Sequence, residues 1–219
     1  VSDSGNKYRF DDFGTSAVTL DLQEGGTYTF DQSDSSNSGH PLRFSTTSNG
    51  THGGGSEYTT GVTTTGTPGS SGAKTVITVA SGAATLYYYC TNHSNMGGQA
   101  NTNSLFGSSN FSGSAQSTVS VNTTAGFSIV RWTGTGSAVT IGHGLGAKPE
   151  IIIVKRLGSS SWTVYSDLID GSMDFLRLDT NVAKGDSSNP IPTNSVFQKN
   201  DTSSETVIAY CFTPKIGFS

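Results

Sequence analysis

Charge is scarce in this chain. Only 13% of its 219 residues are Asp, Glu, Lys or Arg, no run of like charges appears, and the formal net charge is −4. Phosphate recognition needs a basic face, so nucleic acid is not an expected partner. No apolar stretch reaches the roughly 18 residues that a membrane-spanning helix requires, and no membrane span is expected. A signal-peptide h-region is also missing, and the chain begins at Val1 without Met, as expected of a fragment or processed product. Apolar residues nowhere sustain a 3.6-residue period, which argues against helices. The two cysteines, Cys90 and Cys211, lie one in each half, too few for a disulfide framework. No Ser, His and acid arrangement and no pair of buried-looking carboxylates points to hydrolysis, so the chain is not expected to be an enzyme.

What remains is polar but able to build a core. Hydrophobic residues make up 32% and there are 28 glycines, a normal apolar content once Gly is counted. With so few charges, solubility comes from Ser, Thr, Asn and Gly, a composition common in extracellular β proteins and virion surface proteins. Strand-like segments recur at short spacing, separated by Gly, Ser, Asn and Pro clusters, and predict an all-β fold. Residues 20–30 alternate apolar and polar side chains around Glu24-Gly25-Gly26, as two half-buried strands and a turn require. Between 99 and 118 the anchors thin out to Leu105, Phe106 and Phe111, and this span reads as a polar linker. It divides the chain into domains 1–98 and 119–219. The second domain offers seven short strands at 127–136, 138–145, 149–155, 162–165, 174–178, 195–198 and 206–212, which suggests an antiparallel β-sandwich.

The chemistry concentrates in one place. Just after Tyr87-Tyr88-Tyr89, a thiol, an imidazole and a thioether recur at three-residue steps as Cys90, His93 and Met96, and His40 opens another strand-like segment fifty residues upstream. Two His, one Cys and a weak axial Met are the donors that suit copper. Zinc takes the same Cys and His, but Met serves it poorly. The same residue types also fill cores, which would leave a vestigial site. Elsewhere, Gly66 to Thr75 superficially resembles a phosphate loop, but no helix follows and it reads as a turn. His52 and His143, each beside glycines, read as loop or turn residues. Asp31, Asp34 and Asn37 alternate as calcium ligands do, without the Gly and terminal Glu of such a loop.

The residues around His40, Cys90, His93 and Met96 resemble the cupredoxin family over roughly residues 7–98. Leu20 to Phe30 looks like that family's opening pair of strands, His40 matches its first His ligand, and Cys90, His93 and Met96 match its C-terminal ligand loop at the spacing of the short-loop, amicyanin-like members. The resemblance implies a Greek-key β-sandwich with copper held by these four residues. Many members carry Asn beside the first His and Pro inside the Cys-to-His loop; here the neighbours are Gly39 and Pro41, and Thr91-Asn92 fill the loop.

The second domain, with Gly126-Phe127-Ser128, Gly134-Thr135-Gly136, His143-Gly144-Leu145-Gly146, Ile152-Ile153-Val154-Lys155 and Tyr210-Cys211-Phe212, resembles a domain of tail-fibre and other structural proteins of marine bacteriophages. Ser38-Gly39-His40-Pro41 and Tyr88-Tyr89-Cys90-Thr91-Asn92-His93 resemble a module of the same proteins. The resemblance implies a virion structural protein, a tail fibre or fibre-like component with other virion proteins and a host-surface receptor as partners. A homotrimer is the expected assembly, because small sandwiches with few charges have strand edges to cover. The alternatives are a secreted blue-copper electron-transfer protein and a cellular surface adhesin whose Tyr58 and Trp162 stack on sugars. Gly126-Phe127-Ser128 recurs as Gly217-Phe218-Ser219, the expectation for a repeated module.

Overall fold

Side-chain alternation, not helical periodicity, organises every long element. The computed structural model describes residues 5–158, 160–201 and 203–215, and the repeat at Gly217-Phe218-Ser219 lies outside them. The described residues are all β, apart from two short 3₁₀ turns at Ser35–Asn37 and Gly50–Gly53. Contacts divide the chain into two units that meet between Ser108 and Ser109.

The first unit contains β1 (Leu20–Asp21), β2 (Thr27–Asp31), β3 (Leu42–Ser45), β4 (Val62–Thr65), β5 (Lys74–Thr78), β6 (Leu86–Cys90) and β7 (Gly98–Asn101). They form a four-stranded sheet in the order β1-β7-β6-β3 and a three-stranded sheet in the order β2-β5-β4. All pairs are antiparallel except β1 with β7, which run parallel. Leu20, Leu42, Phe44, Ile77, Leu86 and Tyr88 are buried from both sheets, so the unit is a two-layered sandwich with one core. Phe30 packs edge-on against Phe44 with ring centroids 5.4 Å apart. The Gly-rich segment after Thr65 is the turn joining β4 to β5, with Gly66, Gly69 and Gly72 at positive φ.

The second sheet system contains β8 (Ser108–Asn110), β9 (Ser117–Asn122), β10 (Phe127–Thr133), β11 (Ala138–Gly142), β12 (Ile151–Arg156), β13 (Thr163–Ser166), β14 (Asp174–Arg177), β15 (Gly185–Asp186), β16 (Val196–Asn200) and β17 (Thr206–Phe212). Eight of them order as β15-β14-β13-β12-β17-β10-β9-β8, and β11 pairs with β16 in a separate ribbon. The central strands alternate: on β10 and β17, Val130, Trp132, Val207, Ala209 and Cys211 are buried and share one core with Ile141 of β11 and Phe197 of β16. Each of the seven segments read as strands beyond residue 126 overlaps one of these strands, and β15 matches none of them.

The span 99–118 differs from a linker. Gly98–Asn101 completes the first unit's four-stranded sheet, and Ser108–Asn110 forms the edge of the eight-stranded one. Small polar residues pair through their backbones as well as apolar ones, so their composition hid two strands. The piece around Leu105 and Phe106 is exposed, with Leu105 at 93%, as are Ser112 to Ser114.

Candidate metal centre

β3 and β6 run side by side with Leu42 opposite Cys90, and this register sets the site. His40 precedes β3 by one residue, Cys90 ends β6, and the chain then turns through His93 and Met96 into β7. The Nδ1 of His93 lies 3.6 Å from Cys90 Sγ, and the Nδ1 of His40 lies 3.9 Å from it. One donor atom from each of the three residues falls within 4.8 Å of the other two. The imidazole rings of His40 and His93 approach to 4.6 Å between centroids, inclined by 46°. Cys90 is fully buried, His40 partly so, and His93 is exposed. Met96 is buried and lines a 190 Å³ cleft together with His40, Tyr8 and Asn37. The structure thus gathers His40, Cys90 and His93 at one point and places Met96 beside His40.

The ligand loop is held from several sides. Asn92 Nδ2 donates to Gly39 O at 2.9 Å, tying the Cys90 loop to the His40 segment. Asn95, at φ 59°, donates its backbone N–H to Asn49 Oδ1 at 2.7 Å, and Lys7 Nζ donates to Asn95 O. Gly97 closes the turn where a Cβ would stand 1.7 Å from Tyr88 O, so only glycine fits. Around His40, Tyr8 Oη and Gln32 Nε2 both donate to its carbonyl at 2.8 Å, while its N–H donates to Asn37 O. Asn92, inside the Cys-to-His loop, makes the cross-loop bond.

His52 was legible only as a loop residue. It stands in the Gly50–Gly53 turn, and its Nε2 lies 3.0 Å from Cys90 O. Because a carbonyl can only accept, that nitrogen carries the proton. His52 therefore supports the backbone of Cys90, a role with no sequence signal. Asp31 and Asp34 accept from Ser33 N and Ser36 N at 2.8 Å and so cap local turns.

The electrostatics favour metal-competent protonation states. Burial, and secondarily the neighbouring His93, hold the His40 pKa below its ordinary value, which keeps the imidazole neutral and able to ligate. Burial first, and then the nearby Cys90, push the Tyr8 phenol far above its usual range. The second cysteine contrasts with the first: Cys211 sits in the core of the other unit, and burial pushes its thiol up to about 12. Both cysteines are unpaired.

Among the described residues a second cluster joins three donors, Asp170, Asp174 and Asp186. Asp174 on β14 faces Asp186 on β15 across the sheet, and Lys184 Nζ sits among them at 2.6 Å from Asp170, 2.7 Å from Asp174 and 3.2 Å from Asp186. Sequence reading missed it, since its members are scattered over a turn and two short strands. His143 also differs from a turn residue. It is fully buried, accepts from Leu145 N at Nδ1 (3.2 Å) and donates from Nε2 to Thr193 O (3.2 Å), and burial lowers its pKa.

Among the described residues no helix is long and apolar enough to cross a membrane. No curated protein and no solved structure matches the chain. A family model matches residues 99–219, and the four candidate ligands lie ahead of that span. That span is more than half of the sequence, and on it the chain belongs to the family described as Domain of unknown function (DUF7483).

Proposed function

We propose that this chain is a virion structural component, of the tail-fibre kind, whose first unit binds a single copper ion through His40, Cys90, His93 and Met96. The observation that carries the copper reading is the convergence of His40 Nδ1 and His93 Nδ1 on the buried Cys90 Sγ, at 3.9 and 3.6 Å. Soft sulfur with two imidazoles and a thioether alongside is a donor set for copper, not for calcium or magnesium. When bound, copper supplies a one-electron couple. The protein's part is to keep the His40 imidazole neutral, bury the thiol and fix the loop through Asn92, Gly97 and His52. The virion setting rests on sequence resemblance alone, and a homotrimer and a host receptor belong to the same reading.

The exposure of His93 favours a second reading, a secreted electron-transfer protein, because an exposed ligand edge gives a partner access to the metal. Sedimentation separates the two: a fibre component assembles, whereas a carrier stays a monomer at all concentrations. The copper site itself is tested by titrating reduced protein with Cu(II). An intense thiolate-to-copper band in the visible, at one copper per chain and lost in Cys90→Ser, is expected. Folded, reduced protein that gives no band refutes the site, and zinc binding without copper binding refutes the electron-transfer reading.

A further inference from the structure

The eight-stranded sheet is apolar on both faces, and the second unit covers one of them. Inward-pointing residues such as Val130 of β10, Ile152 of β12 and Ala209 of β17 are buried with Ile141 and Phe197 of the β11-β16 ribbon. Their neighbours in sequence point the other way. Ile129, Tyr210, Ile153, Val164 and Leu176 stand in one register row across β10, β17, β12, β13 and β14. Phe127, Phe212 and Ile151 form a row on one side of it, and Arg131, Ile208 and Lys155 a row on the other. Trp162 continues that last row, with Lys155 Nζ 5.9 Å from the centre of its ring. Tyr210 is stacked between Phe127 and Trp162, at 6.5 and 6.4 Å between centroids. None of these outward side chains is buried, and Ile151, Trp162 and Leu176 are 38%, 37% and 39% exposed.

An antiparallel sheet with one face in water carries polar residues there. β9 does so, with Thr118, Ser120 and Asn122 ending the three rows. The five strands beyond it do not, and an apolar centre with a polar rim is the anatomy of a surface that meets another protein. Five strands about 4.8 Å apart, each about six residues long at about 3.4 Å per residue, make a wall of about 500 Å². Two such walls in contact remove about 1,000 Å² before the relief of the side chains is counted, which reaches the size of a specific interface. A partner of another kind is picked out largely by charge, yet in these rows only Arg131 and Lys155 are charged. A face so plain in charge matches itself, as the apolar interfaces of permanent homo-oligomers do.

We propose that copies of this chain associate through this outer face of the sheet. The inference names the surface for the assembly put forward above, and it needs neither copper nor a virion setting.

Sedimentation of the full chain over about a hundredfold range of concentration tests it, with tryptophan emission recorded on the same samples. The chain should assemble, and the emission of Trp162 should shift to the blue as it does so, since Trp132 is already buried. Ile153→Glu, at the centre of the face, should abolish both the assembly and the shift. Leu176→Glu, at an exposed position that tolerates a charge, should weaken assembly at least about tenfold, and it carries the test if Ile153→Glu costs the fold. Arg177→Glu, next to Leu176 but on the side of the sheet that carries Val154 and Thr163, should assemble like the parent chain. Assembly that persists in Leu176→Glu, or that leaves the emission of Trp162 unmoved, places the contact elsewhere and overturns the inference while the fibre reading stands. A monomer at every concentration overturns both and leaves the face to a different protein. Assembly through this face by a chain that binds no copper supports the inference and removes only the copper reading.

Discussion

Two clusters of three donors stand in the two units, and they solve the problem of charge in opposite ways. In the first, His40, Cys90 and His93 present soft donors, and burial lowers the His40 pKa and so favours its neutral imidazole. In the second, Asp170, Asp174 and Asp186 present hard oxygens that repel one another, and the chain supplies its own cation in Lys184. A cluster whose charge is partly offset from within is a structural clip: Lys184 staples the turn before β14 to β15. A cluster of soft donors, with its thiol buried and its loop fixed by Gly97 and Asn92, has its order in place before any partner arrives. Proximity of donors is common to both, and the presence of an internal cation separates clip from candidate centre.

The largest expected effect comes from removing that cation. In Lys184→Ala, the fully buried Asp174 keeps a charge with no partner, which strongly destabilises a fold. The melting temperature of the second unit should fall by about 5 °C or more, followed by calorimetry of the full chain in EDTA. Calcium at a concentration on the order of 1 mM should then restore it, since three carboxylates close together suit that ion. The unsubstituted chain should respond to neither. A variant that melts unchanged, or one that falls and ignores calcium, breaks the contrast between the two clusters.

A smaller effect sharpens the other side of the comparison. Asn92→Ala removes the 2.9 Å bond to Gly39 O that joins the two ligand-bearing segments. Copper affinity should fall about tenfold, the scale of supporting hydrogen bonds around a metal, while the visible band persists because no ligand is lost. Competition with a copper chelator of known affinity measures this. An unchanged affinity would mean that the pairing of Leu42 with Cys90 positions the ligands unaided.

How much of this was legible follows from the range of each interaction. Alternation along Ile151–Arg156 or Thr206–Phe212 is local, so the all-β class and the strands beyond residue 126 could be read directly. The Cys90, His93 and Met96 loop is local too, and its steps of three revealed it. His40 could be attached only by its donor type and by resemblance, since its approach depends on the pairing of β3 with β6. Gly98–Asn101 and Ser108–Asn110 escaped because their strand character comes from neighbours, not from their own side chains. His52, His143 and the Lys184 clip escaped for a related reason. Their roles lie in backbone carbonyls and carboxylates brought near by folding, and no spacing encodes that.

The smallest effect concerns one residue type in both units. His40 and His143 are both held below their ordinary pKa chiefly by burial, the first beside other donors, the second between Thr193 O and Leu145 N. For His143 the sign is fixed by linkage. Its folded pKa lies below the unfolded value of about 6.5, so its contribution to stability is complete above that pH. As pH falls, the unfolded chain takes up a proton that the buried ring resists, and stability drops until the folded pKa is reached. Between pH 7 and pH 5 the second unit should therefore lose about 2–4 °C in melting temperature through this group. His143→Gln can keep a donor for Thr193 O and an acceptor for Leu145 N, and should flatten that portion of the profile. His40 and Asp201, whose carboxyl is raised by burial, titrate in both proteins, so the difference between the two profiles isolates His143. Parallel profiles would show that the ring at 143 gains its proton without cost, and that neutrality enforced by burial is a property of His40 alone of the two.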